Sequence, residues 1–523
     1  MPSAPLTVKF PYIGMNGFNG GLSSENPIIV EQGKLVIANN VLIGTIPTKR
    51  KRGGQEAYNT VALGLSTSPI RGIVEYWRTA FVSGSPVSDI FLHQGDKVWS
   101  IDDRNAVAVD RTGSLTLSAN AIPSYQPFQQ TLYFCSTVTA DGYNKWDGVS
   151  ATAVAATPPP DGVGKYLCSH LGRMIMAGQD DYPFRLYFSS SLDAEDWSSI
   201  SPSNATSLDL DDNGDPEGIT GIVSFQNRLY AFTRRSIYEI TGTTPDTFIV
   251  QRISNGIGCV SHASIVSIPN DVIFASDRGV HSLKQLDAGR QTETKFVSRD
   301  IQRLWTELIN YTRFKQCQAA YDENINSYII TVVSGSDIVN RDILVYNIEF
   351  GTWTQWTNIN ARSISTVLIG NKRKILIGSE SGGVSLLGVE TRQDFGADYS
   401  AEFKTGTLYP GGDVTLQRRI LSMTVLASSN SASTIDVSWN IDGIRGGTTT
   451  IALTAGEDLL GTTFVLGQSI LGIGQYLPYT FTIDEVGYGI QLDFLIRGSG
   501  DVEIYGFVLE VDNANAIFTA GAS

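Results

Sequence analysis

Val272-Ile-Phe-Ala-Ser276, Asp277-Arg-Gly279 and Val280-His-Ser-Leu283 read, in succession, as a short apolar strand, a tight turn and a second short strand. The first strand recurs six more times: Ile90-Phe-Leu-His-Gln94, Leu132-Tyr-Phe-Cys-Ser136, Met174-Ile-Met-Ala-Gly178, Leu229-Tyr-Ala-Phe-Thr233, Tyr328-Ile-Ile-Thr-Val332 and Ile375-Leu-Ile-Gly-Ser379. Further second strands include Val98-Trp-Ser-Ile101, Arg185-Leu-Tyr-Phe188, Ile237-Tyr-Glu-Ile240, Ile343-Leu-Val-Tyr346 and Val384-Ser-Leu-Leu387. The units repeat at roughly 47 residues, within the range of a propeller blade. Gly and Asp in Gln94-Gly-Asp-Lys97 and Ser276-Asp-Arg-Gly279 suit tight hairpins.

The expected fold is therefore all-β: a propeller of about seven blades over residues 67–392, followed by an antiparallel β-sandwich over 393–523. Longer strands of alternating polarity, such as Thr434-Ile-Asp-Val-Ser-Trp-Asn-Ile441, mark the change after Arg392. Residues 1–66 read as an arm and an irregular region leading to a first strand, and that segment is a candidate donor of a strand closing the ring. The tail from Asn513 is expected to fray. The 523 residues suffice for a sizeable core, and the 52 glycines suit a chain full of turns.

The formal charge is −14. An acidic chain does not hold nucleic acid by neutralising phosphate, which needs clustered Lys and Arg. The one such run singled out, Lys49-Arg-Lys-Arg52, is either a contact for phosphate or an acidic partner, or a solvated loop before a strand. Four separated cysteines form no metal-spaced pair and are expected as buried free thiols. No signal peptide is expected, and no membrane insertion, because no apolar run reaches about 18 residues.

No enzyme signature emerges. The four histidines form no metal pair, and there is neither a nucleophile elbow nor a phosphate loop. No cofactor is expected, with calcium the one open case. Asp209-Leu-Asp211-Asp-Asn213-Gly214 matches the first half of a calcium loop, with Asp209, Asp211 and Asn213 as ligands, but Thr220 stands where the bidentate Glu belongs. An acidic turn without metal is the other reading. The best helical stretch is Ser298–Ile309, with Ser298 as cap and Ile301, Leu304, Trp305, Leu308 and Ile309 on one face. It packs on its own propeller or docks on a neighbouring subunit. Trp197, Trp353 and Trp356 follow acidic or glycine turns and are expected to pack; the stretch Tyr346–Trp353 resembles the outer turn of sialidase-like propellers.

Several stretches in order resemble a family. Phe18-Asn-Gly-Gly-Leu22, Ala38-Asn-Asn-Val41 and Lys51-Arg-Gly-Gly54 are similar to the opening of tail nozzle proteins of short-tailed bacteriophages, also called tail tubular protein B or packaged-DNA stabilisation proteins. Gly172–Gly178, Arg185–Ser190, Glu195-Asp-Trp197, Asn227–Ala231 and Tyr346–Trp356 resemble their middle part. The resemblance implies a structural virion protein: a ring of six copies below the portal and adaptor that retains packaged DNA and conducts it during ejection. Implied partners are further copies of the chain, the head-tail adaptor, tail fibre or spike proteins, and DNA passing without sequence readout. The implied location is the virion tail, assembled in the host bacterial cytoplasm. On this reading Lys49, Arg50, Lys51, Arg52, Leu304, Trp305, Leu308 and the loop after Trp197 are candidate assembly contacts. The alternative is a receptor- or glycan-binding propeller of a virion or cell surface.

Overall fold

The computed structural model describes residues 7–13, 20–31, 33–43, 48–58, 67–79, 86–102, 106–198, 204–211, 217–285, 292–453 and 476–512. Phe18, Asn213, the segment 199–203 and the tail from 513 lie outside them. Seven four-stranded antiparallel blades occupy residues 70–110, 123–155, 166–209, 219–255, 266–296, 319–356 and 363–389. In six blades the repeating pair found in the sequence forms the two middle strands; in blade 2 the sequence located only the first of them, and Asn144–Trp146 is the second.

Alternation explains why these strands are apolar almost throughout. Successive side chains point to opposite faces, and here each face meets another blade. Leu132 and Phe134 pack with Tyr76, Phe91 and Trp146 between blades 1 and 2. Their neighbours Tyr133 and Cys135 pack with Leu167, Met174 and Trp197 between blades 2 and 3. A separate apolar cluster fills each of the other junctions but one, the junction of blades 5 and 6. There the cluster runs on into the C-terminal sandwich.

Blade 7 is completed from the far end of the chain. Its strands Ser363–Ile369, Lys372–Gly378 and Val384–Val389 take Gly54–Ala57 as their fourth. The ring closes where Ser363–Ile369 packs against Ile70–Thr79 of blade 1. Ser363 Oγ donates to the Ile70 carbonyl at 2.8 Å, and the Leu368 amide donates to Glu75 at 3.0 Å.

The sandwich is not self-contained, as a boundary at 393 would have it. One of its sheets, Ala401–Thr405, Ile490–Arg497, Ser433–Ile441 and Ile444–Leu453, continues through Leu35–Asn39 into Thr352–Trp356 of blade 6. The other, Leu477–Gly487, Arg418–Ser429 and Val502–Asp512, is extended by Val8–Ile13, Lys49–Lys51 and Val41–Ile43. Residues 8–57 thus contribute strands to both sheets and to blade 7. Along Ser433–Ile441 burial alternates strictly, with Ile435, Val437, Trp439 and Ile441 inward. Asp442 and Gly443, both at positive φ, make the turn into the next strand.

The helix is shorter than its sequence pattern, a 3-10 turn Arg299–Ile301 followed by α1, Gln302–Leu308. Ser298 does not cap it. Its hydroxyl accepts the Val280 amide at 2.9 Å, and the Arg303 amide is met by Ser24 Oγ at 3.0 Å. Among the described residues no helix is long and apolar enough to cross a membrane.

Candidate assembly site

Lys49–Lys51 is a strand, paired with Val41–Ile43 on one side and with Glu503 and Ile504 on the other. This overturns the reading of the basic run as a loop. It also tells against Lys49, Lys51 and Arg52 as contacts for an adaptor or a second subunit, because all three are fully buried within the chain, whereas Arg50 is half-buried. They lie at the seam between propeller and sandwich.

Each buried cation is matched by oxygen. Arg52 makes a bidentate pair with Asp394, at 3.0 and 2.6 Å, and donates Nε to Asn40 at 3.1 Å. Its guanidinium lies 4.0 Å from the centre of the Tyr399 ring, and the Tyr399 hydroxyl donates to the Arg52 carbonyl. Lys51 donates to the carbonyls of Arg392 and Gly498, at 2.8 and 2.7 Å. Lys49 donates to the Gly20 carbonyl at 2.7 Å. Burial favours the neutral amine, and pushes Lys49 down to about 7 and Lys51 down to about 8.

The surrounding backbone is tightly apposed. A Cβ on Gly54 would stand 2.0 Å from the Gln393 carbonyl oxygen, and one on Gly21 would stand 2.8 Å from the Trp353 amide. The Leu22 amide donates to the Trp353 carbonyl at 2.7 Å. Asn40, at φ 56, bridges Arg52, Thr357 and the Ser400 carbonyl. Asp394, Tyr399 and Gly498 were not found from sequence. They lie more than 300 residues from the cations they serve, and nothing in their local pattern announces it.

The other candidates disperse. Trp305 is buried in the shared core, with Leu304 and Leu308 packed against that core, so the apolar face of α1 is covered by its own chain rather than offered to a neighbour. Trp197, Trp353 and Trp356 are buried, and their indole N–H groups donate to the carbonyls of Thr157, Val297 and Val41. The Asp209 carboxylate pairs with Arg185 at 2.5 and 2.9 Å, so a cation there would compete with a guanidinium. The Asp211 carbonyl accepts the Tyr238 hydroxyl. Asn213, the third residue of the calcium reading, lies outside the described residues. Among the described residues no group of three or more His, Cys, Asp or Glu is placed to hold a metal.

The four cysteines are buried free thiols. Two histidines, His93 and His262, are held down to about 4 by burial. His262 lies in a cavity of about 390 Å3 lined by first-strand residues of the blades such as Val74, Tyr125 and Leu167, and by Gln318. A second cavity, of about 490 Å3, lies between the hairpins of blades 4 and 5. Arg234, Arg235, Arg278 and Asp277 line it, and Arg234 is paired with Asp277 and Glu217.

No family model matches the sequence, and no curated protein matches it. Among solved structures the chain is similar to the extracellular domain of BT4673 from B. thetaiotaomicron, at 13% identity and a TM-score of 0.42, over 64% of this chain. The chain spans only 39% of that domain's length. It is also similar to the WD40 propeller domain of Doa1, at 14% identity and a TM-score of 0.38, over 64% of this chain and 97% of that one. YCF48, solved bound to D1 peptide, matches at 12% identity and a TM-score of 0.38, over 65% of this chain and 99% of that one. The propeller is established by strand order and pairing, and these likenesses say nothing of activity.

Proposed function

We propose that this chain is a non-enzymatic structural subunit of a short-tailed phage tail, a nozzle protein that forms a ring, six-fold in the family it resembles. The observation carrying the reading is where the resembling stretches meet. Apart from the stretches within blades 3 and 4, the resembling residues are Gly20–Leu22, Ala38–Val41 and Lys51–Gly54 of the N-terminal segment and Tyr346–Trp356 of blade 6, far along the chain. They gather at the seam, joined by the Leu22–Trp353 and Asn40–Gln355 backbone hydrogen bonds and by the Asn40–Arg52 contact. Residues that share a family pattern because they join domains support a family of scaffolds, whereas a ligand site would place polar groups around an open pocket. On this reading the subunit sits in the virion tail, contacts an adaptor and fibre or spike proteins, and lets DNA pass without sequence readout. An acidic chain favours such passage, since a basic lumen would grip phosphate.

Electron cryomicroscopy of virions, with an affinity tag on this chain visualised by gold, tests the reading. Density on the tail axis in a closed ring is the expected result. A single off-axis copy, or absence from virions, overturns it. The arginine-lined cavity between blades 4 and 5 is the observation favouring a binding propeller instead. Saturable binding of carboxylated glycans on an array, lost on Arg278→Ala, would select that reading.

A further inference from the structure

Beside the seam lies a third cavity, of about 200 Å3. Separate parts of the chain wall it: Leu42, Arg50 and Gly53 of the N-terminal segment, the turn Asp322–Ile325 and Trp356 of blade 6, the start of Lys372–Gly378 in blade 7, and residues 387–392 at and after the end of that blade. Five cations line it, Arg50, Lys372, Arg373, Lys374 and Arg392, against the two carboxylates Asp322 and Glu390. Two of the cations are already paired, Arg373 with Glu323 at 3.2 Å and Arg392 with Asp501 at 2.8 Å.

Arg50 is different. It is half-buried, and its Nε is buried without an acceptor among the described residues. Glu503 faces it across the strand pair, but that carboxylate takes the hydroxyls of Thr48 and Tyr505. Buried donors are normally satisfied, so an exception calls for an absent acceptor. Lys372 is exposed and Lys374 half-exposed, and neither makes an ion pair with a described residue. Concentrating these cations in a chain of net charge −14 creates a local positive potential that attracts anions. The remaining wall is apolar, from Leu42, Ile325, Trp356 and Leu387.

We propose that this cleft binds an acidic segment of a partner protein, its carboxylates accepting from Arg50, Lys372 and Lys374 and one apolar side chain resting on the Leu42–Trp356 wall. A hydrated phosphate would gain nothing from that wall. A nucleic-acid backbone would need cations along a stripe. The proposal does not depend on the tail reading.

Fluorescence anisotropy of the full chain tests it, at low salt, with a labelled peptide of alternating Glu and Leu. Saturable binding is expected, weakened at least tenfold by Lys372→Glu with Lys374→Glu, and unchanged by Lys97→Glu on blade 1. Both positions reach water, so the thermal midpoint should hold, and circular dichroism checks that the variant is folded. A Glu–Ser peptide of equal charge should bind several-fold more weakly. No saturable binding of the Glu–Leu peptide overturns the proposal. So does binding indifferent to the double substitution, equal binding of the Glu–Ser peptide, or displacement of the peptide by inorganic phosphate or duplex DNA at matched charge.

Discussion

The tripeptide Lys-Arg-Lys occurs twice, at 49–51 and at 372–374, with opposite fates. Both copies lie in strands. The first lies within a sheet, flanked by Val41–Ile43 and Val502–Asp512, so the two-residue period sends Lys49 and Lys51 together into the seam and leaves Arg50 on the other face. The second opens a blade strand beside the Gly370-Asn371 turn, where Lys372 and Arg373 reach water. Burial of the first copy is tolerable because carbonyls of Gly20, Arg392 and Gly498 stand where water would be. A basic run is thus not a surface by composition. Its position in the sheet, and the oxygens that converge on it, decide.

The sharpest way to break this contrast is to remove Arg52. Arg52→Ala leaves Asp394 and Asn40 without their partner in a largely buried site, and should cost about 3–5 kcal/mol. Urea unfolding at constant m would measure it, and a loss near zero would mean the seam is solvated. The apolar side of the seam should respond as strongly. Trp353→Ala removes a buried indole and its bond to Val297, at a cost of about 3–5 kcal/mol. Unchanged thermal stability would refute that packing role.

A pH series sharpens the comparison further. Unfolded Lys49 keeps its proton up to about 10.5, whereas the folded residue releases it near 7. Between those values the unfolded state binds more protons, so stability rises with pH, by at most about 1.4 kcal/mol per pH unit for one group. Below 7 both states are protonated and this contribution is flat. Lys49→Met should remove that part of the slope between pH 7 and 9, and a parallel pair of curves would sink the assignment. The smallest effect belongs to the exposed copy: Arg373→Ala breaks only a pair with Glu323 at the surface and should change unfolding stability by about 0–1 kcal/mol.

The middle strands of the blades were legible because neighbouring blades bury both of their faces, which leaves an unbroken apolar run. The fourth strands were not. Thr206–Asp209 alternates between half-buried and exposed, and Gly54–Ala57 supplies blade 7 from more than 300 residues away. The face of α1 was legible in Leu304, Trp305 and Leu308, but its cap, Ser24, comes from the N-terminal segment. Ser298, the local candidate, holds blade 5 instead.

By itself the sequence determined the class of fold, the repeating pair of strands, the alternation of the sandwich and the buried thiols, because each is encoded in a short-range pattern of polarity. Only the tertiary structure decided where 8–57 belongs, that propeller and sandwich share sheets and a core, and that Lys49, Lys51 and Arg52 are interior. Those outcomes depend on pairings across hundreds of residues. A strand's own side chains say which faces are apolar, but they do not say whose edge will cover them.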